Sequence, residues 1–123
     1  MGLGLLGRGV GDAKFLADCG AELIVTDLKP KVALESSLKK LRGYKNIKFT
    51  LGEHRLADFR NRDLIVKAAG VPLDSPFILE AQKNGIAVMM STALFVKLSG
   101  TKIIGVTGTR GKTTVTSLIF EIL

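Results

Sequence analysis

Cysteine and histidine are almost missing from this chain: Cys19 and His54 are the single examples in 123 residues. A lone Cys19 cannot close an internal disulfide and has no second thiolate for a metal site, which fits a reducing compartment. A lone His54 without another ligand-type residue at metal spacing argues against a zinc centre. Its polar surroundings, residues 52–62, place it in a surface loop. No apolar run approaches the roughly 18 residues that a membrane span needs. Met1 leads straight into glycines, without the charged stretch and cleavage site of a secretory signal, so a cytoplasmic location is expected. Acidic residues are scarce as well: 11 Asp and Glu against 18 Lys and Arg give a net charge of +7. That balance suits polyanionic ligands such as nucleotides. The lysines are spread over presumptive helix surfaces (Lys39, Lys40, Lys45, Lys48, Lys83, Lys97), a solvated face rather than a nucleic-acid patch. Neither nucleic acid nor a membrane is an expected partner.

Glycine is what the chain has in quantity, with 14 residues, and it marks two loops. Near the end, Ile103, Ile104, Gly105 and Val106 read as a β-branched strand entering the loop Thr107-Gly108-Thr109-Arg110-Gly111-Lys112-Thr113-Thr114. An apolar helical pattern follows (Val115, Leu118, Ile119, Ile122, Leu123). A glycine loop opening a helix presents backbone N–H groups at a positive helix terminus, which holds phosphate. Lys112 would reach the β- and γ-phosphates, and the Thr113 hydroxyl would be a ligand for phosphate-bound Mg²⁺. The usual spacing places a glycine at Val106, and here Gly105 lies one step further out. A plain strand–turn–helix would explain Gly108 and Gly111 but not a lysine and two hydroxyls at the helix start.

The other loop opens the chain. Gly2, Gly4 and Gly7 satisfy G-x-G-x-x-G, a helical pattern follows (Val10, Ala13, Leu16, Ala17) until Gly20, and the strand Leu23-Ile24-Val25-Thr26 finishes at Asp27. An acid at the end of the second strand is where a dinucleotide fold hydrogen-bonds a ribose or base. A nicotinamide-dependent oxidoreductase would account for this part but leaves Lys112, Thr113 and Thr114 unexplained. The fingerprint ordinarily follows a buried parallel strand, and only Met1 precedes it here, so the first strand of the sheet is expected to be truncated.

Between the loops, Pro30 opens a helix with Leu34, Leu38 and Leu41 inside and a Glu35/Lys39 pair outside. Ile47, Phe49 and Leu51 alternate as a strand, and Leu64-Ile65-Val66 forms a buried one running into Ala68-Ala69-Gly70-Val71-Pro72. Ser75 caps a helix with Pro76 at its first position, ending at Gly85. Ala87-Val88-Met89 is the next strand, and Ser91 caps a short helix from Thr92 to Leu98. This alternation predicts an α/β fold: a Rossmann-like parallel sheet over residues 1–98, then the opening strand, phosphate loop and helix of a second α/β ATPase domain over residues 99–123. Both ends would then carry apolar surface with nothing to cover it.

The loop at 107–114 resembles the ATP loop of the Mur ligases and their amide-forming relatives, with Arg110 where asparagine is common. Together with the GLG-x-x-G start, the acid after the second strand and the Ala-Ala-Gly-Val-Pro loop, the whole chain resembles the Mur ligase family. Within that family it is most similar to the MurD-type branch that adds D-glutamate to UDP-MurNAc-L-alanine in peptidoglycan synthesis. The resemblance implies UDP-substrate binding by Leu3, Gly4, Leu5 and Leu6 near the diphosphate, Asp27 towards uracil with Leu28 and Lys29 after it, and Gly70 opposite. It implies ATP binding by Gly108, Thr109, Arg110, Gly111, Lys112, Thr113 and Thr114, with Lys112 stabilising the transferred phosphoryl group and Thr113 on Mg²⁺. Ser91 and Thr92 stand where the family often has acids. The implied cofactors are ATP and Mg²⁺, the partners UDP-MurNAc-L-alanine and D-glutamate, and the full-length protein a monomer. As an N-terminal fragment, the chain would be inactive alone. The alternatives are a stand-alone nucleotide-binding module or a family member that adds a different amino acid.

Overall fold

The structure is a computed structural model that describes residues 1–5 and 7–123. Its first half is built from α1 (Arg8–Asp18), β1 (Leu23–Asp27), a 3-10 turn Lys31–Leu34 running into α2 (Glu35–Lys39), and β2 (Ile47–Leu51). The strands pair in parallel, from Leu23 opposite Ile47 to Asp27 opposite Leu51. Val10, Ala13 and Ala17, spaced three and four apart, form the buried stripe of α1. They pack with Leu3, Leu41 and Ile47 into one core. Gly20, at φ 84°, stops α1 in a left-handed turn. The Asn46 amide then donates to the carbonyls of Ala17 (3.0 Å) and Ala21 (2.9 Å), fixing the helix end against the start of β2. Leu34 and Leu41 are fully buried and Leu38 half-buried, as the stripe after Pro30 requires. The Glu35–Lys39 pair forms at 3.0 Å on an exposed face, where it adds little stability.

The second half holds a 3-10 turn Leu56–Phe59, β3 (Leu64–Val66), α3 (Pro76–Lys83) and β4 (Ala87–Met89), with β3 and β4 parallel. Phe59, Ile65, Ile78, Ala81 and Ile86 make its core. The expected single sheet is thus two parallel pairs, β1–β2 and β3–β4. Among the described residues, backbone hydrogen bonds of Met1 and Gly2 link the two pairs. The Met1 ammonium donates to the Val66 carbonyl (2.9 Å), Ala68 N–H donates to the Met1 carbonyl (3.0 Å), and Gly2 N–H donates to the Thr26 carbonyl (2.8 Å). These two residues form a single rung between β1 and β3.

The C-terminal part follows a different rule. The helices α4 (Ser91–Ser99) and α5 (Lys112–Ile122) bury no residue. The strand expected at Ile103 to Val106 is not formed: the segment has no ladder partner, and Ile104 is 62% exposed. A β-branched run becomes a strand only when another strand accepts its backbone groups. The apolar face of α5 is uncovered as expected, with Ile122 81% exposed. Three local expectations also change. Ser75 occupies the cap position of α3 but makes no capping hydrogen bond, and Ser91 is the first residue of α4, whose cap position is taken by Met90. His54 lies in a loop as expected but is half-buried rather than at the surface. Because the turn at Leu56–Phe59 folds back onto the second core, its ring packs edge-on against Phe77 and Phe59, with centroids 5.2 and 6.0 Å away.

Candidate nucleotide site

The first glycine loop connects the Met1–Gly2 rung to α1, and each of its glycines answers a separate demand. A side chain on Gly2 would come within 2.8 Å of the Ala68 Cβ, so this glycine lets the loop lie against the turn after β3. Gly4 and Gly7 face open space but hold φ at 67° and 84°, where a Cβ strains the backbone. Gly9 was not singled out in the sequence, yet it is the tightest of all: a Cβ there would sit 2.4 Å from the Leu3 carbonyl oxygen. The only signal for it was its place in the first turn of the helix, where α1 crosses the loop that feeds it.

Asp27 and Ser37 fix this loop. The Asp27 carboxylate accepts from Gly4 N–H through Oδ2 and from Lys29 N–H through Oδ1, both at 2.9 Å, and the residue is 5% exposed. Ser37, buried on α2, donates its hydroxyl to the Gly4 carbonyl at 3.0 Å. The peptide units on either side of Gly4 are therefore held from β1 and from α2. Ser37 was not among the expected site residues, because a serine in a helix reads as surface until the tertiary packing is known. Gly52 N–H closes the same edge by donating to the carbonyls of Asp27 (2.9 Å) and Lys29 (3.0 Å). Behind it, Arg55 joins Thr50 Oγ1 (2.7 Å) to both oxygens of the buried Asp58 (3.1 and 3.2 Å).

The expected substrate residues divide by what they present. Leu5, Leu28 and Lys29 are exposed around the braced loop, while the side chain of Leu3 is in the core, leaving its backbone to face the loop. Leu6 lies outside the described residues. Gly70 is exposed in the turn that Val71 N–H closes onto the Ala68 carbonyl (3.1 Å), and Lys67 spans it through a 2.7 Å bond to the Val71 carbonyl. Because Gly2 touches Ala68, this turn and the first loop share one edge. Gly7, the N-cap of α1, supplies no side-chain cap, so no cap side chain satisfies the first-turn N–H groups of α1, the groups that an anion site at a helix start uses.

At the second loop, Gly111 caps α5 in the left-handed conformation with φ 76°. The Lys112 ammonium reaches back four residues to the Gly108 carbonyl at 2.5 Å and so lies across the loop. Thr109, Arg110, Thr113 and Thr114 are exposed. Thr116, bonded to the Lys112 carbonyl at 2.8 Å, reinforces the helix start.

Two groups near the first loop have displaced protonation equilibria. Burial lowers the pKa of the Met1 ammonium, with Asp27 and Asp12 opposing that shift. Burial also lowers that of His54, and the charged N-terminus adds to the effect while Asp27 and Asp58 oppose it. Among the described residues, no group of three or more His, Cys, Asp or Glu could hold a metal, and no helix is long and apolar enough to cross a membrane.

Residues 1–90 match the family model described as Mur ligase MurD-like, N-terminal domain. The UDP-N-acetylmuramoylalanine–D-glutamate ligase of Roseiflexus sp. is 44% identical over 123 residues, all of this chain and 26% of the relative. The enzyme of that name from Treponema pallidum is 42% identical over 97% of this chain and 23% of its own length. That of Clostridioides difficile is 42% identical over 98% of this chain and 27% of its own. No solved structure matches. The chain spans about a quarter of the length of these relatives, 26%, 23% and 27%. With its braced glycine loop on a parallel α/β frame and a family match over most of its length, the chain belongs to the MurD-like N-terminal domain family of the Mur ligases.

Proposed function

We propose that this chain is the N-terminal portion of an ATP-dependent ligase that joins D-glutamate to UDP-MurNAc-L-alanine in the cytoplasm, with residues 1–98 binding the UDP-substrate and residues 99–123 opening the ATP-binding domain. The observation that carries this reading is the Asp27 carboxylate, which holds Gly4 and Lys29 by their amides. It puts a glycine loop and the residues after β1 at one sheet edge, the geometry of a nucleotide site. The diphosphate would lie along the N–H groups of Gly4, Leu5 and the start of α1. The base and ribose would lie against Leu28 and Lys29, with Gly70 opposite. Asp27 then acts chiefly by shaping the loop, because both of its oxygens already accept backbone hydrogen bonds.

The second loop suits ATP: a left-handed glycine at the cap, uncapped helix amides, a lysine folded over the loop and an exposed threonine hydroxyl. Lys112 would balance charge on the γ-phosphoryl group as it passes to the substrate carboxylate, and Thr113 would hold Mg²⁺, which supplies further positive charge there. The amine of D-glutamate then attacks the acyl carbon and phosphate leaves. Calorimetric titration of the complete ligase with UDP-MurNAc-L-alanine, Mg·ATP and NAD(P)H tests this. Binding of the first two is expected, Asp27→Ala weakening only the UDP-substrate and Lys112→Ala only ATP-dependent turnover. Binding of NAD(P)H without ATP would overturn the reading.

A further inference from the structure

Between β3 and α3 the chain turns through Lys67-Ala68-Ala69-Gly70-Val71-Pro72, and both ends of this turn are fixed. Lys67 N–H donates to the Met89 carbonyl (2.9 Å), which seats the residue at the end of the β3–β4 ladder, and the Val71 side chain packs on the second core. The residues between them are too small to fix themselves. Ala69 and Gly70 are exposed, and a Cβ on Gly70 would meet nothing within 4 Å. Packing therefore does not hold this glycine, and its backbone is free to rotate unless hydrogen bonds restrain it. Two bonds do so. Val71 N–H closes the turn onto the Ala68 carbonyl at 3.1 Å, and the ammonium of the half-buried Lys67 spans the turn to the Val71 carbonyl at 2.7 Å. The charged donor makes the shorter and stronger of the two. Pro72 has no N–H to add a third, and the next bond, from Ser75 N–H to the Pro72 carbonyl, is long at 3.3 Å. Ala68 lies against Gly2, where a Cβ would come within 2.8 Å of the Ala68 Cβ, so the placing of the turn also sets its distance from the first glycine loop.

We infer that Lys67 is a positioning residue for the UDP-substrate: its ammonium fixes the turn that sets Gly70 opposite Leu28 and Lys29. The inference rests on the UDP-substrate reading above and adds to it a residue that acts through the turn, without touching the ligand. A wall that is already ordered loses less conformational freedom on binding than one the ligand must order. Loss of the ammonium therefore falls on affinity for the UDP-substrate. The ATP loop lies on another segment, so phosphoryl transfer is left as it was. Methionine in place of Lys67 keeps the apolar stem and removes the donor, and the bond to Val71 lies outside both cores, so the stability of the fold is left as well.

The test uses the complete ligase with Lys67→Met and Lys67→Arg, and combines steady-state kinetics for UDP-MurNAc-L-alanine, ATP and D-glutamate with amide exchange of the peptide covering residues 68–75 and urea unfolding. Lys67→Met should raise the KM for UDP-MurNAc-L-alanine about tenfold, equivalent to about 1.4 kcal/mol. The turnover number and the other two KM values should stay within about twofold of the wild type, exchange in the peptide should quicken, and the unfolding midpoint should not move. Lys67→Arg, which keeps a charged donor, should restore both affinity and slow exchange. An unchanged KM for the UDP-substrate, a rise in all three KM values together, exchange that stays slow in Lys67→Met, or a Lys67→Arg ligase as weak as Lys67→Met overturns the proposal. Wild-type ligase that does not bind UDP-MurNAc-L-alanine overturns the underlying reading and this inference with it. Wild-type binding with an unaltered KM in Lys67→Met overturns this inference alone.

Discussion

The two glycine loops share a sequence idea and differ in what surrounds them. In the first, Gly4 is held from β1 by Asp27 and from α2 by Ser37, and Gly9 is pressed onto the Leu3 carbonyl. Among the described residues, the second is held by its own residues, through Lys112 to Gly108 and Thr116 to Lys112. A glycine loop is therefore as rigid as the strands and helices that touch it. Glycine supplies permission for an unusual backbone, and the sheet supplies the constraint.

The comparison breaks most sharply at Lys112. In the complete ligase Lys112→Ala should lower kcat about 10²–10³-fold while leaving UDP-substrate affinity unchanged, because the side chain is exposed and supports no core. In the first loop the expected damage is to the fold. Asp27→Ala leaves the Gly4 and Lys29 amides without their acceptor and should cost this chain about 2–4 kcal/mol in urea unfolding. Ser37→Ala, which removes one bond, should cost about 1 kcal/mol. Equal costs for the two variants would mean that Asp27 does not hold both amides. A matched pair of glycine substitutions sharpens the contrast. Gly9→Ala drives a methyl group into the Leu3 carbonyl and should cost about 1–3 kcal/mol. Gly111→Ala, at φ 76° with open space around it, should leave the unfolding midpoint where it is, since α5 belongs to neither core.

The smallest effect is that of pH. Burial lowers the folded pKa of both Met1 and His54, so the unfolded chain binds protons that the folded chain refuses. Stability should be greatest above the ordinary α-amino value of about 8 and should fall as pH drops through that range and then through about 6.5, towards the lower folded values. Denaturation midpoints across this range give the slope. His54→Gln should flatten its lower part and leave the upper part, which belongs to Met1.

Wherever one face of an element meets a core, the sequence carried the answer. The stripe Val10, Ala13, Ala17 and the strands at Leu23, Ile47, Leu64 and Ala87 are all local patterns. Asp27 was identifiable from its distance to the glycines, though its two bonds to Gly4 and Lys29 were not. Contacts between distant segments stayed hidden. Ser37 looks like a surface serine until α2 is set beside Gly4, and Gly9 looks like a weak helix residue until α1 crosses Leu3. Phe59 stands among charges in the sequence, yet a 3-10 turn makes it the centre of the second core, and His54 follows it inward. At Ile103 and Ile104 the opposite happens: a strong strand pattern finds no partner strand and is left exposed to solvent.

The rung made by Met1 and Gly2 has a consequence for the order of folding. Met1 packs with the second core and Leu3 with the first, so neighbouring residues belong to two separately condensing units. Joining them means closing a loop across a sequence separation of 65 from Met1 to Val66, an entropic cost of about 4 kcal/mol, while the pairing of β1 with β2 spans a much shorter one. The α1–β1–α2–β2 half can therefore condense early from nearby contacts. The first residues of the chain wait for β3 before they are seated, and the slowest step in bringing the halves together is set by topology rather than by either core.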